Sequence, residues 1–375
     1  MNYALQTLWH DRARFLPGVL AVAFSAVLIG VQCGLLLGLF SLTSISIDLS
    51  PAQIWVGSPK MLSVDLGDPI PESFTGRVAS EPGIVRTEMY YQLFANFTKP
   101  DGGSDKCMII GFSLEPNALG AMSVVTDQMR HDLSEPFAIV IDESDFDRLG
   151  IKQVGDTAEI NKQRVRVVGT VQGVKGLAAA YILCSPATAR ALLKVNCPPG
   201  NTVFVLAECE NPAEAPAIVE RLREKYPNDM SVFASADFSK HSRLHWLIKT
   251  KAGIALGYAA LLGLLVGLVV TSQTLYAATT ASAREYAILL ALGIPRWRVS
   301  MAVVSQSFWV GTMGILVAIP TIFGMGHLVG VIGIQVLMPP WLLASTIGVT
   351  MAMASLSGLM ALRSVRQIEP NNLLR

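Results

Sequence analysis

Residues 252–298 read AGIALGYAALLGLLVGLVVTSQTLYAATTASAREYAILLALGIPRWR, and this stretch decides the architecture. Positions 252–283 contain no Asp, Glu, Lys or Arg. A helix of about 20 apolar residues crosses the hydrocarbon core of a bilayer, so this segment is long enough to span one. Charge returns in a short cluster at Arg284, Glu285, Arg296 and Arg298, directly before another uncharged stretch. Arginines in a short loop mark the cytoplasmic side of a span. The cluster is therefore a cytoplasmic elbow between two membrane segments.

Working outward, two further stretches lack those four residue types, 15–47 and 299–362. The second holds two spans, because Gly324, Gly326, Gly330, Gly333 and the pair Pro339-Pro340 suit a loop or re-entrant turn in its middle. The predicted spans are 17–40, 253–276, 302–326 and 341–362, with a short extracytoplasmic loop at 327–340. Arg12 and Arg14 precede the first span, Arg284, Arg296 and Arg298 lie in the 277–300 loop, and Arg363, Arg366 and Arg375 follow the last span. The positive-inside rule sends all of these to the cytoplasm. The N-terminal amphipathic helix (1–16) and the tail (363–375) are then cytoplasmic, and the chain is a multi-pass protein of the cell inner membrane. The first apolar run is far longer than the 7–15 residues of a signal-peptide core, so it reads as a retained helix.

Composition agrees. The 375 residues are 51% hydrophobic and 15% charged, with a mean hydropathy of +0.46. A net charge of +1 excludes nucleic-acid binding driven by bulk electrostatics. The other 21 of the 29 Lys and Arg fall in 41–251, a segment long enough to be translocated whatever its charge. There glycine and proline punctuate β-like runs at 137–141, 164–171, 180–183 and 202–206. Helical patches lie at 144–149, 187–193 and 213–226, the last preceded by Asn211 as N-cap. Within 140–171 the pattern is strand, short helix ending at Gly150, turn at Gly155-Asp156, and a hairpin across Asn161-Lys162. The fold class is an α-helical membrane domain of four transmembrane helices with a large α+β extracytoplasmic domain inserted between helices 1 and 2.

Chemistry-bearing patterns are sparse. The sequence has no G-x-x-x-x-G-K-[ST] loop, no H-E-x-x-H and no G-x-S-x-G, so it offers no catalytic residues and no ATP site of its own. His241 and His245 share a helix face without a third ligand. With Lys240, Arg243, Trp246, Lys249 and Lys251 they suit an interfacial helix in the headgroup region, in contact with membrane lipid. The cluster Asp142, Glu143, Asp145 and Asp147 reads as a helix N-terminus rather than a calcium site, and no metal is expected. Cys107, Cys184, Cys197 and Cys209 lie in the extracytoplasmic segment with no spacing that enforces a disulfide; buried small hydrophobes are the favoured reading.

The spans carry almost no ionisable groups, which argues against an ion channel or a proton-coupled transporter. They carry small residues at four-residue spacing instead. Ala26, Gly30, Gly34 and Gly38 share one face of the first span; Ala255, Ala259, Gly263, Gly267 and Thr271 share one of the second. Such faces let helices approach closely, within one chain or across a homodimer. In the elbow, residues 280–292 suit a helix stopped by Gly293, with Pro295 opening the next one. Tyr286, Leu289, Leu290 and Gly293 fall near one side.

The run REYAILLALGIPRWRV resembles the coupling segment of the FtsX/MacB-like (type VII) permeases of ABC transporters. ALQTLWHDRARFL at the N-terminus and ALRSVRQIEPNNLLR at the C-terminus are similar to that family's opening helix and tail. The stretch from HWLIKTK to LLALG looks most like the DevC-type exporter permeases. The likeness is specific over about 245–310 and the termini and looser over 50–240; the extracytoplasmic cysteines and the neutral Ile294-Pro295 depart from the pattern. The resemblance implies a homodimer that binds two copies of a separate ABC ATPase, with ATP and Mg on that partner and no cofactor on this chain. It implies that Arg284, Glu285, Tyr286, Leu290 and Gly293 enter the ATPase groove, with Arg296 and Arg298 at its rim. ATP-driven motion would pass to the extracytoplasmic domain and drive efflux with a periplasmic membrane-fusion protein and an outer-membrane duct. Relatives of this kind also release lipoproteins (Lol-type) or activate a periplasmic hydrolase without transport. The transported substrate is not legible.

Overall fold

The computed structural model describes residues 12–281, 288, 292–331 and 336–366. These form two compact units, one of 1–39 with 254–375 and one of 40–253. In chain order the first elements are α1 (Arg12–Ser41), α2 (Ile45–Asp48), β1 (Ile54–Gly57), β2 (Ile70–Pro71), α3 (Ser73–Ala79), β3 (Ile84–Thr98) and β4 (Ser104–Gly111). Next come α4 (Asp127–Asp132), β5 (Ala138–Asp142), α5 (Phe146–Leu149), β6 (Thr157–Ile160), β7 (Gln163–Val171), β8 (Ala180–Cys184) and α6 (Pro186–Leu192). β9 (Asn201–Thr202), β10 (Phe204–Cys209), α7 (Ala215–Lys225), β11 (Ser231–Ala234) and α8 (Ser235–Lys249) complete the inserted unit. The long helices α9 (Lys251–Ala281), α10 (Arg296–Val331) and α11 (Pro340–Arg366) follow.

Among the described residues, four helices are long and apolar enough to cross a membrane, over Phe15–Asp48, Gly253–Thr274, Trp297–Val329 and Pro340–Leu359. Helix α10 runs on to Val331, through Gly324, Gly326 and Gly330, where the sequence suggested a loop. In an apolar medium an unpaired backbone amide costs several kcal/mol, which outweighs the weak helix propensity of glycine. Pro320 inside α10 is tolerated on the same ground. One side of α9 (Leu261, Leu262, Leu265, Val266 and Val269) is exposed, as a lipid-facing surface requires. On the packed side small and hydroxyl side chains tie helices together. The Ser25 hydroxyl lies 3.1 Å from both the Gly267 carbonyl and the Thr271 hydroxyl, and Ser272 meets Ser357 at 2.9 Å.

In the inserted unit a nine-stranded sheet runs β11-β1-β10-β3-β4-β8-β5-β7-β6, and β6 also pairs with the end of β3. That last pairing, at Phe97 with Ile160 and Thr98 with Glu159, closes the strands from β3 to β6 into a barrel. β3 is the hinge of the design: residues up to Tyr90 pair with β10 and those from Tyr91 onward with β4. It therefore belongs to the barrel and to the wing formed by β10, β1 and β11. The pairs β4–β8 and β5–β7 are parallel, and β5 and β8 (AIVID and AYILC) are buried at every position. A continuous apolar run with both faces covered is what such strands need.

Period-two alternation sorts the wing into two cores. Ile54, Val56, Val205 and Ala207 pack with Phe74 and Val78 of α3 and Ile218 and Leu222 of α7. Trp55, between them, turns to the opposite side, where its ring meets Tyr90 at 5.2 Å, Phe204 at 5.6 Å and Phe238 of α8 at 5.8 Å. The Asn161-Lys162 hairpin is present, both residues with positive φ as a two-residue turn of this type demands. The helix of 144–149 opens as a tight turn capped by Asp142 and ends at Gly150, whose φ is +69°. Asn211 caps Ala213 at 3.1 Å. The run 202–206 divides: Thr202 Oγ1 bonds the carbonyls of Tyr90 and Phe204, each at 3.1 Å, which bends the chain between β9 and β10.

Candidate functional site

Of the residues expected at the elbow, Arg284, Glu285, Tyr286 and Leu290 lie outside the described residues. Its second half is described. Leu292 N donates to Ile288 O at 3.0 Å, a helical bond, and Gly293 then takes φ +85°, the left-handed conformation that ends a helix. Arg298 N donates to Pro295 O at 2.9 Å as α10 begins at Arg296. This corner leaves Leu292 74% and Trp297 59% exposed, and the Arg298 guanidinium sits 5.4 Å from the Trp297 ring centre. The surface is apolar and cationic together, a combination enriched at the centres of protein interfaces.

The small-residue faces make close approaches within this chain. A Cβ on Gly30 would stand 2.8 Å from Ile322 Cδ1, and one on Gly267 would stand 3.1 Å from Ser25 Cβ. Gly34 approaches Met338, Gly263 approaches Gln32, and Gly38 is buried. Ala259 points outward.

The inserted unit contains an assembly built from residues far apart in the sequence. Helix α8 leads directly to α9, with the single extended residue Thr250 between them. Rather than lying free at an interface, it is bound to the chain that follows α1. Arg243 pairs with Asp48 and donates from Nε to Ser44 Oγ at 2.7 Å. Ser239 Oγ donates to Asp48 Oδ1 at 2.7 Å. One turn on, Ser242 Oγ accepts from Val64 N at 3.2 Å, and Trp246 Nε1 donates to Ser63 Oγ at 3.2 Å. Arg243 and Trp246 suited a headgroup-facing helix by composition, but their donors are used within the protein. His241 stacks on Phe233 at 5.2 Å. The available signal was Asp48, the first charge after the apolar stretch, facing the polar stripe Ser239, Ser242, Arg243 and Trp246.

Next to this clamp lies Asp65, 4% exposed. Its Oδ1 accepts from Gln92 Nε2 and Tyr181 OH, each at 2.8 Å. Burial pushes its pKa up to about 7, against the downward pull of those two hydrogen bonds. On the outer wall of the barrel, a 570 Å³ groove is lined by Phe94, Asn96, Lys106, Lys162, Val195 and Asn196. It mixes polar and apolar surface and holds no arrangement suited to catalysis.

Among the described residues no cluster of His, Cys, Asp and Glu could hold a metal. Asp142 uses its oxygens on Ser144 N (3.0 Å) and Val174 N (2.8 Å). All five cysteines are free thiols, and burial pushes Cys107 up to about 12, so that it is not a nucleophile at neutral pH.

Comparison with known proteins gives the helical unit its relatives. Over residues 257–370 the chain matches the family model of the FtsX-like permease C-terminal domain. No curated protein matches the chain. Among solved structures, the periplasmic region of MacB from Actinobacillus actinomycetemcomitans is 12% identical, with a TM-score of 0.35, over 51% of this chain and 92% of that one. The extracellular domain of YknZ, a noncanonic ABC-type transporter from Gram-positive bacteria, is 11% identical with a TM-score of 0.32, over 48% and 99%. A domain of a putative permease protein from Porphyromonas gingivalis is 12% identical with a TM-score of 0.30, over 49% and 90%. The matched residues 257–370 hold all of α10 and α11 and most of α9, so this part of the chain is what is similar to an FtsX-like permease C-terminal domain.

Proposed function

We propose that this chain is the permease subunit of an ABC transporter, driven by a separate ATPase that grips the 284–298 elbow. The observation that carries the reading is the family match over 257–370, which contains the whole elbow. The exposed Leu292, Trp297 and Arg298 supply a surface of the right chemistry. ATP and Mg belong to the partner, since this sequence has no phosphate-binding loop. Glu285 and Gly293 act as the lever: one as a charged contact, the other as the corner that turns the chain into α10. The inserted domain is then the extracytoplasmic effector, in a homodimer with both termini cytoplasmic. It works with a membrane-fusion protein and duct in efflux of the DevC type.

The test uses the full chain in lipid nanodiscs with its candidate ATPase. Wild type should stimulate ATP hydrolysis, and Glu285→Lys and Gly293→Val should each abolish stimulation while leaving the permease folded. If no ATPase binds, or both variants stimulate as wild type does, the reading is wrong. A partner that proves to be a lipoprotein chaperone or a soluble hydrolase would keep the ATPase coupling and replace the efflux role.

A further inference from the structure

Asp65 differs from Asp142, another deeply buried aspartate of the inserted domain, in accepting from the side chains of Gln92 and Tyr181 rather than from backbone N–H groups. Around Asp65 stand the turn at 64–66 that carries it, β3 and β8, with α2 behind Tyr90. From β8 comes Tyr181, and from β3 come Gln92 and Tyr90. α2 contributes Ser46, beside the Tyr90 hydroxyl. All are neutral, and the titratable ones are phenols whose pKa values burial pushes up. No cation is among the groups that act on Asp65. A buried carboxylate with no cation beside it and few hydrogen bonds keeps part of its desolvation cost, which favours taking up a proton.

The cluster is also built to accept that proton. Ser46, Tyr90 and Gln92 are fully buried; the Ser46 and Tyr90 hydroxyls face each other, and Gln92 Oε1 has no hydrogen-bond partner. Gln92 already donates to Asp65 through Nε2, so its amide has a donor in use and an acceptor to spare. Protonation gives the carboxyl a hydrogen that an acceptor such as Gln92 Oε1 can take. Deprotonation leaves a buried charge and an unused acceptor together. The residues before Asp65 are those that hold α8: Ser63 takes the Trp246 indole and Val64 N donates to Ser242.

We propose that Asp65 is a proton-binding site of the inserted domain, and that its occupancy sets how firmly the 63–65 turn holds α8. With the proton on, the turn is fixed to β3 and β8 and α8 is held at Ser242 and Trp246. With the proton off, the carboxylate draws toward water, the turn loosens, and those two contacts weaken first. The Arg243–Asp48 pair is independent of the turn and keeps the upper part of the clamp closed. This places a pH-sensitive joint immediately before the helix that continues into the second apolar span. The inference does not depend on the ATPase reading, because its measurements need no ATPase.

The experiment is a pH titration of the full chain in nanodiscs from pH 5 to 9. Infrared difference spectra should show a protonated carboxyl at the acidic end that is lost with a midpoint near 7 and is missing in Asp65→Asn. Tryptophan fluorescence should follow the same midpoint in wild type, be flat in Asp65→Asn, and be flat in Trp246→Phe while the infrared band remains. Tyr181→Phe removes a bond that favours the anion, so it should move the midpoint upward; it serves equally if Asp65→Asn fails to fold. A carboxyl band that survives in Asp65→Asn, or a midpoint unmoved by Tyr181→Phe, overturns the proposal. So does a midpoint that shifts when sodium replaces potassium, since the occupant would then be a metal ion.

Discussion

The segment before the second span and the corner before the third use their side chains in opposite ways. In α8 the polar side chains Ser239, Ser242, Arg243 and Trp246 all bond within the inserted domain. At 292–298 the large side chains Leu292 and Trp297 have most of their surface open. Residues of the first kind report on stability when changed; those of the second can be changed to ask whether they contact a partner. Composition does not separate them, because both segments mix arginine, tryptophan and leucine. What separates them is the set of partners the fold supplies to α8 from residues 44–64.

The sharpest test of the inward-facing side lies at the aromatic core on which α8 rests. Trp55 is fully buried between Tyr90, Phe204 and Phe238. Trp55→Ala should lower the stability of the domain by about 3–5 kcal/mol, read as a fall in denaturation midpoint. A loss below about 1 kcal/mol would mean that α8 is not seated on this core. The helical unit offers the next effect. Gly30→Leu forces side-chain atoms into Ile322 and should cost about 1–3 kcal/mol in a detergent melt. If the variant melts as wild type does, α1 is not held at this point.

The Arg243–Asp48 pair ranks lower. Its side chains are 42% and 35% exposed, so solvent screens the charge. A double-mutant cycle with Arg243→Ala and Asp48→Ala should give a coupling of about 0.5–1 kcal/mol, falling with added salt. A coupling near zero would leave the clamp resting on the Ser242 and Trp246 bonds alone.

The legible parts of this molecule are those encoded by neighbours in sequence. The four apolar helices, the Asn161-Lys162 hairpin, the Asn211 cap and the left-handed stops at Gly150 and Gly293 each rest on a few consecutive residues. The barrel was not legible in that way. β3, the longest strand, serves two partners in turn, and its burial changes with them, so it shows no clean alternation. Arg243 finds Asp48 across 195 positions and Asp65 finds Tyr181 across 116, and no local pattern announces either pairing. A serine–arginine–tryptophan stripe reads equally well as membrane interface until its acceptors are seen. Asp65 differs from any solvated aspartate only in being enclosed, a property of the closed sheet rather than of residues 64–66.

The smallest stability effect is the most telling about function. Leu292→Ser and Trp297→Ser remove exposed apolar surface at the corner without opening a cavity or stranding a buried polar group. Each should stay within about 0.5 kcal/mol of wild type in the melt. If the corner is an interface, Trp297→Ser should weaken ATPase binding by tenfold or more and Leu292→Ser by less, because binding energy concentrates on tryptophan and arginine and seldom on leucine. Loss of ATPase stimulation with an unchanged melt would separate the two regions completely: one set of side chains would maintain the fold and the other would engage the partner. If either variant melts well below wild type, the exposed corner is packed in the membrane-embedded protein, and the contrast with α8 is only one of degree.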